Sequence, residues 1–250
     1  MFQFIANALA EEATATDAVA EAAEKTPTWF ETAFKEMGEF PVWGWVLMAV
    51  LLIGGFIAYK AVKSDKKSAW TTKKLSMGAI CIALSSVLSM IRLWKMPMGG
   101  SITPASMLPL MLFAYVYGTG SGCTLGVIYG VLQFILDGGD AAAYGVTALL
   151  LDYPIAFAMM GLAGAFRSMK NENVGLALGV VLACFGRYLA SFVSGWVFYG
   201  SYASYYGFVS PVVYSICYNG AYMLPECIIC VLLAMLMGNR LVKSLKQNAK

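Results

Sequence analysis

The sequence predicts an all-α, polytopic membrane protein, and three observations carry that prediction. Of its 250 residues 60% are hydrophobic and 12% charged, at a mean hydropathy of +0.70. A soluble domain is nearer 45–50% apolar and about 25% charged. The apolar residues gather into seven runs, and a helix needs about 20 such residues to cross a hydrocarbon core. The basic residues cluster after the first, fifth and last runs, in loops that fall on one side of the bilayer.

The runs follow one another with short connections. The first begins near Val42 (WGWVLMAVLLIGGFIAYKAV), with Trp43, Trp45 and Tyr59 flanking it as an interfacial belt. Residues 1–41 before it carry eight acidic side chains against Lys25 and Lys35. They lack the basic n-region of a cleaved signal peptide and read as an acidic extracytoplasmic segment. The later runs begin near Leu75, Ala105, Gly122, Val146, Val174 and Val212. The third and fourth runs are short and joined by a few Gly and Ser residues, which predicts a tight helical hairpin. Residues 42–74 are thus an extra transmembrane anchor with a basic linker, and 75–250 a six-helix membrane domain.

Lys60 to Lys74, Arg167 with Lys170, and Arg240 to Lys250 mark the cytoplasmic side under the positive-inside rule. The N-terminus then lies outside, the C-terminus inside, and the loops 93–104, 137–146 and 200–210 face outward. The predicted location is the cell membrane, multi-pass.

Composition also excludes chemistry. The chain contains no histidine, which removes Ser-His-Asp hydrolysis, zinc proteases and the usual metal ligand. No metal or cofactor is expected, and the reading is not an enzyme. The net charge of +3 marks topology and does not suit nucleic acid. No GxxxxGK[ST] loop is present, so the chain does not hydrolyse ATP itself. Cys81, Cys123, Cys184, Cys217, Cys227 and Cys230 all lie in apolar runs and read as buried thiols. For Cys227 and Cys230 (C-x-x-C), no neighbouring cation stabilises a redox-active thiolate.

Small residues set the packing. Gly118, Gly122, Gly126 and Gly130 recur every four residues, as do Gly175, Gly179 and Ala183, and each row lets a neighbouring helix approach closely. Ala79 and Ala83 form a further pair on the second run.

Charges within the spans are costly unless paired or wetted, and there are three: Asp152, Arg187 and Glu226. Arg187 and Glu226 lie at similar depth, which predicts an ion pair between the last two helices. Asp152 has no partner at its level. It stands beside Tyr153 near the outer end of its span, with Tyr199, Tyr214 and Asn219 at the same level. One carboxylate, one amide and several aromatic faces describe an outward-facing pocket for a small, flat, cationic heteroaromatic.

Four spaced stretches then become recognisable. MPMGGSITPASMLPLMLFAYVYGTGSGCTLGVIYGVLQFIL, LLDYPIAFAMMGLAGAF, GRYLASFVSGWVFYGSYA and VYSICYNGAYMLPE resemble the thiamine-binding S-components of energy-coupling-factor (ECF) vitamin transporters. The likeness runs from about Leu75 to Met237 and keeps the order of six spans. It implies a six-helix bundle with no catalytic activity. The implied partners are thiamine, a transmembrane coupling protein and a pair of cytoplasmic ATPases.

Carried over by position, the family's ligand contacts fall on Asp152, Tyr153, Tyr199, Tyr214 and Asn219. Trp94 is the tryptophan available in the loop 93–104 to lid the ligand. The family's A-x-x-x-A contact with the coupling protein falls on Ala79 and Ala83. The chain carries Asp152 where the longer Glu is expected, and Ser191 where members often carry His. An S-component for a related heteroaromatic, such as a thiamine precursor or another vitamin, is the alternative. A His-free membrane enzyme built on Glu226 or Asp152 is the more distant one, and no second catalytic group is visibly matched to either residue.

Overall fold

The computed structural model describes residues 70–96, 100–137 and 145–249. The expectations for the acidic segment 1–41 and for the anchor beginning near Val42 lie outside the described residues. Within them the chain is helical except for one small hairpin. Helix α1 (Thr72–Met90) leads into strands β1 (Trp94–Lys95) and β2 (Ser101–Ile102). Next come α2 (Leu108–Tyr117) and α3 (Thr119–Asp137). The composite helix α4 covers 145–166, followed by α5 (Glu172–Val197), the single turn α6 (Tyr202–Tyr205) and α7 (Pro211–Ala249). All six runs predicted after the anchor are therefore helices, in the predicted order.

Five of them are long and apolar enough to cross a membrane. The exception is α2, ten residues long, or about 15 Å at 1.5 Å per residue. It is the central element of the core: every residue from Leu108 to Tyr115 is buried. Its run could not continue toward the N-terminus as helix, because Thr103, Ala105 and Ser106 form a turn in which Ala105 adopts φ 62°. The predicted tight hairpin between α2 and α3 is present. A single residue, Gly118 at φ 94°, reverses the chain, a conformation that costs glycine little.

The glycine rows pack inside the bundle. On α3, Gly126 meets the Phe157 carbonyl, Gly130 the Tyr153 carbonyl, and Gly122 meets Ala114 and Gly161. The same device on α5 seats Gly179 against Ala163 and Gly175 against Phe166. Lipid gives little hydrophobic drive for helix association, so such close backbone approach, with its dispersion contacts, carries much of the packing. It also fixes α4 between α3 and α5.

Helix α4 is irregular for a local reason. Pro154 has no N–H and its ring crowds the preceding turn. The backbone widens into a π turn over Leu151–Ile155, closed by the Ala156 N–H donating to the Leu151 carbonyl. It then tightens into a 3-10 segment, Met159–Phe166. Helix α5 starts at Asn171, whose side chain accepts from the Asn173 and Val174 N–H groups at 3.1 and 3.3 Å, a normal N-cap.

Not every thiol is buried as expected. Cys217 lies exposed on α7 and Cys123 and Cys227 are half-buried, while all six cysteines are free. In an apolar helix, that exposed face is one a bilayer would cover.

Candidate ligand-binding site

The hairpin, α3, α4, α5 and α7 converge on one cavity of about 140 Å³. Asp152 reaches it because the π turn re-aims the helix just where Pro154 interrupts it; π bulges are frequent at functional sites for this reason. The Ser194 hydroxyl donates to Asp152 Oδ2 at 2.7 Å. Among the described residues no hydrogen bond to Oδ1 is formed, so that oxygen remains for a ligand.

Tyr153 lines the cavity beside Asp152, its ring edge-on to Phe134 at 5.8 Å. Tyr199, just past the end of α5, lines it from the other side. Tyr214 is 2% exposed and stacks on Tyr206 at 6.0 Å and on Tyr218 at 5.6 Å. Asn219 also lines the cavity, but its amide is heavily engaged. Nδ2 donates to the Ser191 and Ser215 carbonyls at 3.2 and 3.0 Å, and Oδ1 accepts from the Tyr222 hydroxyl at 2.9 Å. One lone pair on Oδ1 remains. Ser191, in the place where a histidine was noted as usual, contributes through its backbone as well as lining the cavity.

The structure thus gathers Asp152, Tyr153, Tyr199, Tyr214 and Asn219 around one volume. It corrects two other expectations. Arg187 and Glu226 both line the cavity, yet they do not form the ion pair their equal depth predicted. Glu226 is held by the Thr103 and Ser106 hydroxyls at 2.5 and 3.1 Å. The Arg187 guanidinium lies 4.3 Å from the Phe157 ring centroid and donates to the Met107 sulfur at 2.6 Å. Depth fixes the level of a residue but not its direction around the helix. Trp94 does not line the cavity either. It is 67% exposed on β1; β2, with Gly100 and Thr103 beside it, forms the cavity wall, and β1 lies outside.

Sequence reasoning missed several lining residues. Tyr218, Tyr222 and Glu226 follow the predicted Tyr214 at four-residue spacing along α7 and line the cavity with it; that spacing was visible in the sequence. Gln133 stands alone among apolar residues of α3. Its Oε1 is buried with no hydrogen-bond partner, and the residue lines the cavity.

The charged lining is two carboxylates, Asp152 and Glu226, and one guanidinium, Arg187. The formal balance is one net negative charge. Away from the cavity, Ala79 and Ala83 both lie exposed on α1, on a flank that also exposes Leu75, Ile80 and Leu84.

Against known proteins, residues 75–246 match the family model described as thiamine transporter protein. The chain belongs to the thiamine transporter protein family. It is 37% identical over 164 residues to the thiamine transporter ThiT of Bacillus subtilis (strain 168), covering 60% of this chain and 82% of that one. It is 32% identical over 108 residues to the thiamine transporter ThiT of Lacticaseibacillus paracasei, covering 39% of this chain and 54% of that one. Its fold matches a solved structure of ThiT from Listeria monocytogenes at a TM-score of 0.60 and 23% identity, over 69% of this chain and 96% of that chain. Membership of a transporter family bears out the reading of the chain as a transport protein and not an enzyme.

Proposed function

We propose that the chain is the thiamine-binding S-component of an ECF-type transporter and that it binds thiamine in the cavity around Asp152. The observation that carries the reading is Asp152 itself, a membrane carboxylate turned into an aromatic-lined cavity with one oxygen free of protein hydrogen bonds. Thiamine pairs a permanent thiazolium charge with a flat aminopyrimidine. The cation complements the single net negative charge of the lining. Tyr153 and Tyr199 offer π faces to it, and Tyr214 and the remaining lone pair of Asn219 Oδ1 serve its polar edges. Phosphorylated thiamine would bring negative charge to a lining whose formal balance, with Arg187 counted, is already one net negative charge, which favours the unphosphorylated vitamin.

Uptake is powered by partners. A transmembrane coupling protein meets the exposed face of α1 through Ala79 and Ala83, where small side chains permit close helix approach, and two cytoplasmic ATPases supply the energy. The cavity opens outward, with the N-terminus outside and the C-terminus in the cytoplasm. Uptake of radiolabelled thiamine by cells carrying the chain together with a coupling module tests this reading. Saturable uptake that depends on both the chain and ATP hydrolysis is expected. Uptake of a different heteroaromatic, with thiamine failing to compete, would replace thiamine as the ligand.

A further inference from the structure

One wall of the cavity is not a transmembrane helix. It is the short stretch 100–106, running from the hairpin into the turn before α2, and it is held to α7 at two levels. At the first, the Gly100 N–H donates to the Tyr218 hydroxyl at 3.2 Å. Gly100 also lies so close to the Tyr222 ring that a Cβ would stand 2.8 Å from it. At the second, Thr103 Oγ1 donates to Glu226 Oε1 at 2.5 Å and Ser106 Oγ to the same oxygen at 3.1 Å. Between these two hydroxyls sits Ala105 at φ 62°, a left-handed conformation that a residue with a Cβ adopts only when its surroundings enforce it.

Glu226 is 3% exposed. A carboxylate so placed is costly unless hydrogen bonds compensate it. Arg187 does not pair with it, and its partners are the two hydroxyls of the wall. Tyr218, Tyr222 and Glu226 follow one another at four-residue spacing, so one face of α7 holds the whole stretch.

We infer that Glu226 is a positioning residue for the ligand site, acting through Thr103 and Ser106 to hold the wall 100–106 against α7. This rests on the thiamine reading above. It differs from a direct electrostatic role in one respect: both hydroxyls converge on a single oxygen, Oε1. A glutamine carbonyl has the same two lone pairs and can accept both hydrogen bonds, while it lacks the charge.

The test compares Glu226→Gln, Glu226→Ala and Thr103→Val in the purified full chain. It uses two readouts: backbone hydrogen exchange over 100–106 without ligand, and thiamine affinity. Loss of the wall's buried anchor in Glu226→Ala or Thr103→Val is expected to speed exchange and weaken thiamine, each about tenfold, while Glu226→Gln keeps exchange within about threefold of the parent. Combining Glu226→Ala with Thr103→Val should cost little more than either alone. Thr103→Val keeps the side-chain shape and serves if Glu226→Ala does not fold. Unchanged exchange in Thr103→Val, or exchange in Glu226→Gln as fast as in Glu226→Ala, would overturn the inference. Failure of the parent chain to bind thiamine would defeat the ligand reading instead, and the exchange comparison would still decide the role of Glu226.

Discussion

Replacing Asp152 by asparagine isolates the charge at the centre of the proposed site. The substitution is nearly isosteric. The Asn carbonyl can still accept from Ser194, so the local hydrogen bond at 2.7 Å and the π turn have no reason to change. What is lost is one unit of negative charge facing the cavity. Two unit charges about 5 Å apart at an effective dielectric near 20 attract by about 3 kcal/mol. Part of that is offset because the carboxylate no longer has to be desolvated. The expected loss therefore lies between about 1.4 and 3 kcal/mol, or roughly 10-fold to somewhat over 100-fold in Kd. Calorimetric titration of parent and variant at fixed ionic strength measures it. A neutral thiophene isostere of thiamine supplies the control: the parent should prefer the cation, and Asp152→Asn should lose most of that preference. Equal thiamine affinity in the two proteins, within about twofold, would refute the electrostatic role.

Other expectations follow from the same geometry. Tyr199→Ala should weaken thiamine about tenfold, whereas Tyr199→Phe, which keeps the π face, should stay near the parent in a binding titration. Gln133→Leu removes a buried acceptor that has no protein partner. Thermal unfolding should show no loss of stability, while thiamine binding weakens if Oε1 accepts from the aminopyrimidine. Gly126→Val places a branched side chain against the Phe157 carbonyl. Overpacking there should cost about 1–3 kcal/mol or more and lower the thermal midpoint by several degrees. Leucine at both Ala79 and Ala83 should leave thiamine binding by the isolated chain intact and abolish uptake with the coupling partners.

The architecture was legible where the physics is one-dimensional. Apolar run length located the later spans, and the glycine rows identified the close helix contacts at Gly126 and Gly179. The unpaired Asp152 beside Tyr153 marked the cavity, because a carboxylate in a membrane span demands an explanation. What escaped depends on direction and on very short elements. The β1–β2 ladder pairs only two residues per strand, Trp94 with Ile102 and Lys95 with Ser101, too few for a period-two pattern. Trp94 was therefore assigned to the cavity although its strand lies on the far side of the hairpin. Arg187 and Glu226 share a level, but Phe157 with Met107 and Thr103 with Ser106 claim them separately. Pro154 stands two residues after Asp152 in the sequence, but the π turn that forms around it and turns Asp152 inward is a backbone geometry that residue spacing does not encode. Asn219 was read as a ligand contact, and its amide is largely engaged by Ser191 on α5 and by Ser215 and Tyr222 on its own helix.

The central claim is that the isolated chain binds thiamine in the cavity around Asp152. Titration of the purified full chain with thiamine, followed by intrinsic fluorescence, tests it most directly, because Tyr199, Tyr214 and Tyr218 line the cavity and Trp196 stacks on Phe192 nearby. Saturable quenching complete below micromolar thiamine, lost or strongly shifted in Asp152→Asn and much weaker with thiamine pyrophosphate, is the predicted result. A parent protein that gives no response at micromolar thiamine, or one that binds thiamine and its pyrophosphate equally well, would contradict it.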